Sequence, residues 1–220
     1  MKSLLIRDLI LSKGLIPYTL ILIPLGYILS LPPFMISLAF ILQVIILSIF
    51  FLDHRARINS FVTSLPIKRK TIMISRYISF AIIWIFTVLY QFAVGQLLED
   101  FIPYAIYAFG WKEIVVLLSL GLLIIAIYIP LFVMTRSFIV PSILILVCFF
   151  ITLLLSIDAL VTVSGMTTSI IFNDLDQWII PLIEEKIVVY PYLVLPILGL
   201  LFYGLSIAIT TKAFQAKSSI

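Results

Sequence analysis

Residue types able to do covalent chemistry are few in this sequence and poorly placed for it. His54 is the single histidine and Cys148 the single cysteine. One cysteine makes no intrachain disulfide and no thiolate cluster, and one histidine removes the two-histidine zinc patterns of proteases. Cys148 stands inside an apolar run, where a thiol is expected as a small buried side chain. Glu184 and Glu185 are adjacent. Paired acids can serve proteolysis within a membrane when histidines in later spans help to hold a metal or a water. His54 is the only candidate and belongs to the opposite side, so both acids are expected as solvated charges at an outer mouth. No G-x-x-x-x-G-K-[ST] phosphate loop occurs. The chain is therefore not expected to be an enzyme, and no cofactor or metal is assigned to it. Were it a pump, a separate ATPase holding ATP and Mg would have to supply the energy.

Three amides lie inside apolar runs: Gln43, Gln91 and Gln96. Polar side chains are costly in hydrocarbon. These three either line a path for an amphipathic substrate or form hydrogen bonds between helices that hold a bundle.

The elements that position these residues follow from composition. Of 220 residues, 64% are hydrophobic and 11% charged, against roughly 45–50% and 25% in soluble domains. A water-soluble domain of this size has too little interior to hide that much apolar surface. The solvent for most of the chain is lipid, which excludes a soluble enzyme, a disordered chain and a nucleic-acid-binding module. Six apolar runs match the length that spans a bilayer: 15–31, 34–52, 77–98, 114–133, 138–157 and 188–209. None contains Asp, Glu, Lys or Arg, and none alternates as barrel strands do. Each is expected as a helix, because backbone groups in lipid must be satisfied within the segment. The fold class is all-α, a single polytopic domain.

The charges orient it. With the N-terminus inside and six spans, twelve of the fourteen Lys and Arg fall on the inner side, and eight of the ten acids on the outer side. That asymmetry favours both termini in the cytoplasm and a multi-pass protein of the bacterial cytoplasmic membrane. It also accounts for the net charge of +4 without a nucleic-acid partner. Before the first span, Leu5, Ile6, Leu9 and Ile10 share one side of a helix, with Lys2, Arg7 and Lys13 available to headgroups. This reads as an amphipathic helix lying on the inner surface. Leu31-Pro32-Pro33 makes a tight turn into the second span. On the outer side, 158–187 carries apolar residues such as Ile170, Phe172, Trp178 and Ile180 that suit short helices dipping into the leaflet better than a solvated loop.

The cytoplasmic segment 53–76 is the most informative stretch. Ile58, Phe61, Val62 and Leu65 fall at helical spacing and make one apolar stripe, flanked by Arg55 and Arg57. Pro66 disfavours helix at Leu65, and Lys68, Arg69 and Lys70 follow at the inner headgroups. Such a helix suits docking in a groove of another protein. The alternative is a loop whose bases anchor it to anionic membrane lipid.

Asp53, then Phe61-Val62-Thr63-Ser64-Leu65-Pro66-Ile67-Lys68-Arg69-Lys70, then Ser75-Arg76-Tyr77, resembles the signature of small bacterial ABC-2 type permeases. The layout of spans fits that family over nearly the whole chain, and within it resembles membrane subunits of phenol-soluble modulin exporters. The resemblance implies that 57–64 is the coupling helix that touches a cytoplasmic ABC ATPase, and that 162–187 forms re-entrant helices. It implies an exporter of an amphipathic substrate: a cytolytic or antimicrobial peptide, a lipid-like molecule or a drug. Six spans are half of a typical pathway, so a second permease copy or a paralogue is expected as a partner. Two other readings are a non-transporting immunity protein that binds a membrane-active peptide, and the substrate-capture subunit of a vitamin importer. The second is disfavoured because the first span has no alanine.

Overall fold

Long apolar segments fold here as helices because every backbone donor finds an acceptor one turn away without leaving the segment. The computed structural model describes residues 6–7, 9–10, 13–29, 31–55, 68–99, 101, 109–135, 137–164, 178–184 and 188–216, and all regular structure among them is helical. We number the helices α1 (Ile16–Ile28), α2 (Leu42–Arg55), α3 (Arg69–Glu99), α4 (Trp111–Met134), α5 (Ile139–Ser164) and α6 (Pro191–Ala216). A wider π-helical stretch, Met35–Ile41, leads directly into α2.

Four helical stretches among the described residues are long and apolar enough to cross a membrane: Met35–Arg55, Arg69–Glu99, Trp111–Met134 and Pro191–Ala216. Lys13–Ile28 and Ile139–Ile151 are apolar but shorter. Ile6, Arg7, Leu9 and Ile10 of the N-terminal segment are helical, with Ile6, Leu9 and Ile10 exposed.

Two boundaries differ from the sequence reading. Helix α3 begins at Arg69, not at Tyr77, so Arg69, Lys70 and Arg76 join the helix and only Lys68 precedes it. Arg69 donates from a guanidinium nitrogen to the carbonyl of Gln215 at 3.3 Å, where the partial negative charge at the end of α6 favours a cation. Helix α5 runs past Asp158 to Ser164. Thr162 assists there by bonding back to the Asp158 carbonyl at 2.8 Å.

The core lies between α2, α3, α4 and α6. Helix α3 is central and touches α1, α4, α6 and the π-helical entry to α2, while α6 packs most extensively on α4. Small residues permit the close approaches. A Cβ at Gly199 of α6 would stand 3.2 Å from the Ser119 carbonyl of α4. Helix α5 is peripheral and exposes Ile139, Val140, Ile143, Leu144, Val147 and Leu154. An outward apolar surface is ordinary for a protein solvated by lipid, since it matches the chains around it. Cys148 is exposed on this same helix. The expectation of a buried thiol is thus corrected: an apolar run signals burial in water, but in lipid it fits an outward face equally well. Several hydroxyls inside the spans are satisfied locally: Ser79, Thr87 and Ser119 bond back to the carbonyls of Ser75, Ile83 and Val115.

Candidate functional site

The connection between α2 and α3 begins and ends at one point of the bundle. Asp53 sits in the last turn of α2 and Arg76 two turns into α3, and the two side chains form an ion pair. Their side-chain exposures are 2% and 3%. The charge count put both residues on the inner side without pairing them; the fold turns both inward against each other. The Arg76 guanidinium also lies over the Phe50 ring, 5.1 Å from its centroid, a distance at which the ring face attracts a cation. Phe50 in turn stacks on Phe80 of α3 at 6.0 Å and on Phe132 of α4 at 4.3 Å. Phe132 meets Phe138, just before α5, at 5.7 Å. One ion pair and four aromatic rings therefore join the ends of four helices at the basic end of the bundle.

Of the residues assigned to coupling, Arg55 is exposed at the end of α2, two residues beyond Asp53 of the ion pair. Arg57, Ile58, Phe61, Val62 and Leu65 lie outside the described residues, as do 165–177 of the outer segment. From the rest of that outer segment, Ile180 and Ile183 are buried in the main core.

The three amides do not converge. Gln91 is fully buried in α3, and its Nε2 donates to the Pro33 carbonyl at 2.7 Å. It thereby ties α3 to the Pro32-Pro33 turn by satisfying a buried carbonyl. Gln43 reaches from α2 to the Tyr128 hydroxyl of α4 at 3.4 Å. Gln96 lies further along α3, and its Nε2 donates to the Phe109 carbonyl at 3.3 Å. Each joins two segments of the bundle.

A polar cluster that the sequence reading missed lies deeper. The Tyr77 hydroxyl of α3 is 2.6 Å from the Ser206 hydroxyl and 2.8 Å from that of Thr210, both on α6. Tyr203 donates to the Tyr77 carbonyl at 2.5 Å, and Ser206 donates to the Ala126 carbonyl of α4 at 2.5 Å. The two tyrosine rings meet edge to face at 5.2 Å. A signal was present: Tyr203, Ser206 and Thr210 are spaced to share one face of a helix.

At the opposite end of the bundle, Lys112 pairs with Glu184 at 3.0 Å, and Tyr192 donates to the same carboxylate. The Trp111 and Tyr192 rings meet at 5.0 Å. Glu184 is thus committed to an ion pair. Its carboxyl is held below its ordinary value of 4.5, first by the Tyr192 hydrogen bond and then by Lys112.

The arrangement is mechanical in kind: buried joints between helices, with the charges gathered where the longest connection at the basic end leaves the bundle. A family model described as ABC-2 family transporter protein matches residues 3–215. The chain belongs to the ABC-2 transporter family. No curated protein and no solved structure matches it. As an ABC-2 family member it is a transporter permease and a multi-pass protein of the cytoplasmic membrane. Membership implies an ATPase partner in a transporter complex.

Proposed function

We propose that this permease is the membrane half of an ABC exporter. It moves an amphipathic substrate out of the cell, and a separate cytoplasmic ATPase holding ATP and Mg supplies the energy. The observation that carries the reading is the family match over residues 3–215 in a chain that has no phosphate loop of its own. Chemistry on ATP then belongs to another subunit, and this chain contributes binding, a path and movement.

The ATPase docks on 57–64. Ile58, Phe61, Val62 and Leu65 fill a groove on it, and Arg55 and Arg57 meet acidic residues at the rim. The gathering of basic residues on that side supports a cytoplasmic placement for both termini. Lys13–Ile28 and Ile139–Ile151 join the four longer helices to give six spans. A second copy or a paralogue completes the pathway. The substrate is amphipathic, such as a cytolytic peptide, a lipid-like molecule or a drug, as the family resemblance implies.

Co-purification with the ATPase tests this. Phe61→Ala removes the aromatic anchor and should cost on the order of 2 kcal/mol of docking, about a thirtyfold loss of affinity. Charge reversal at Arg57 should give a milder, salt-sensitive defect, since a rim charge is screened. Normal ATPase recovery with Phe61→Ala, together with loss in the Lys68, Arg69 and Lys70 triple alanine variant, would replace docking by lipid anchoring.

A further inference from the structure

Helix α1 and the π-helical entry to α2 do not close fully on each other. Between them runs a crevice of about 100 Å³. Leu22, Leu25 and Leu29, spaced to share one face of a helix, form one wall. Ile36 and Phe40, one turn apart, form the other. Gly26 closes the floor against Ile36, so tightly that a Cβ there would fall 2.3 Å from Cδ1 of Ile36. Every residue lining the crevice is Leu, Ile, Phe or Gly. A water needs polar partners and finds no polar side chain here. Leu25, Leu29 and Phe40 are exposed at the rim. The crevice is therefore continuous with the lipid-facing surface of a protein that family membership places in the membrane. Its size fits a short length of chain: an apolar cavity of roughly 150 Å³ takes a benzene-sized guest and stays dry. Length points the same way. Lys13–Ile28 is one of the shorter apolar helices. It reaches roughly 24 Å at ~1.5 Å per residue, against about 30 Å of hydrocarbon. Lipid beside a short helix must thin or fill in around its end. The crevice lies at such an end, where the Leu31 N–H donates to the Gly26 carbonyl at 2.9 Å and turns the chain back.

We propose that this crevice seats one acyl chain of a membrane lipid, in the leaflet opposite the basic end of the bundle. The chain completes the seam between α1 and α2 that the protein leaves open. It is held by shape and close contact, because bulk lipid is as apolar as the walls and supplies no hydrophobic drive. The site does not depend on the ATPase docking proposed above.

The test uses the full-length permease in mild detergent and a phosphatidylglycerol that carries a diazirine in one acyl chain. After excess lipid is washed away and the sample irradiated, mass spectrometry locates the adducts. Labelling should concentrate in 22–40, several-fold above 143–151 of α5, a segment that is also exposed to lipid. Leu29→Trp fills the crevice from its rim, so labelling of 22–40 should fall several-fold while that of 143–151 stays the same. Should Leu29→Trp fail to fold, Leu25→Trp takes its place. Equal labelling of the two segments would overturn the seat, as would labelling of 22–40 that the tryptophan variant leaves unchanged. An amphipathic helical peptide that displaces the lipid from 22–40 and itself crosslinks there would also overturn it, in favour of a seat for substrate.

Discussion

The indole of Trp84 in α3 lies so close across Gly121 of α4 that a Cβ on residue 121 would fall 2.0 Å from Nε1. Trp84 is 1% exposed, so it has no free space into which to withdraw. The close approach of α3 and α4 at this point requires that residue 121 has no side chain. Gly121→Ala should destabilise the bundle by about 1–3 kcal/mol, the usual scale of overpacking. Thermal unfolding in detergent measures it, and Trp84→Phe in the same chain should recover part of the loss. An unchanged unfolding temperature for Gly121→Ala would show that α3 and α4 are not in contact there.

The Tyr77 hydroxyl serves two partners on α6 at once. Tyr77→Phe removes both contacts and leaves the Thr210 hydroxyl to find another acceptor. Interhelical hydrogen bonds in membrane proteins average about 0.6 kcal/mol and reach about 1.7, so a cost of roughly 1 kcal/mol is expected. A double-mutant cycle with Thr210→Val should show coupling between the two positions. Additive effects would mean that the hydroxyls do not bond.

Glu184 provides a pH test. Its carboxyl titrates below the ordinary 4.5 because the Tyr192 hydroxyl and the Lys112 ammonium favour the charged form. A depressed folded-state value means that the contribution is fully present above the unfolded value. It is lost as pH falls through the lower, folded one. Wild type and Glu184→Gln should therefore differ by a constant amount in unfolding temperature at neutral pH and down to about 4.5, and converge only below it. A difference that already closes near pH 6 would assign the effect to another group.

Orientation is tested by labelling. In a Cys148→Ser background, cysteines at Lys112 and Lys186 should react with an impermeant thiol reagent in intact cells, and cysteines at Arg57 and Arg136 should not. Labelling of Arg57→Cys from outside would invert the topology and remove the docking argument with it.

Much of this protein is written in one dimension. Lipid as a solvent forbids unpaired backbone, so uncharged apolar runs determine helices, although α3 starts well before its run and α5 ends well after its own. The charges at their ends supply the argument for which side faces the cytoplasm, because translocating Lys and Arg is disfavoured. The stretch from Asp53 to Tyr77 carries enough of the family pattern to identify an ABC-2 permease, and the missing phosphate loop points to a separate ATPase.

Other features depended on the third dimension, for a physical reason. Hydropathy reports that a residue prefers an apolar surrounding, and lipid and protein interior satisfy that preference equally. It therefore could not tell that Cys148 faces outward while Ile145, one turn away, is buried. It could not choose between a path and a brace for Gln91, which only the Pro33 carbonyl at 2.7 Å decides. Charge counting placed Asp53 and Arg76 on one side of the membrane but not against each other, since a count contains no distances. That they meet, enclosed and resting on Phe50, was decided by the packing of α2 on α3 and α4.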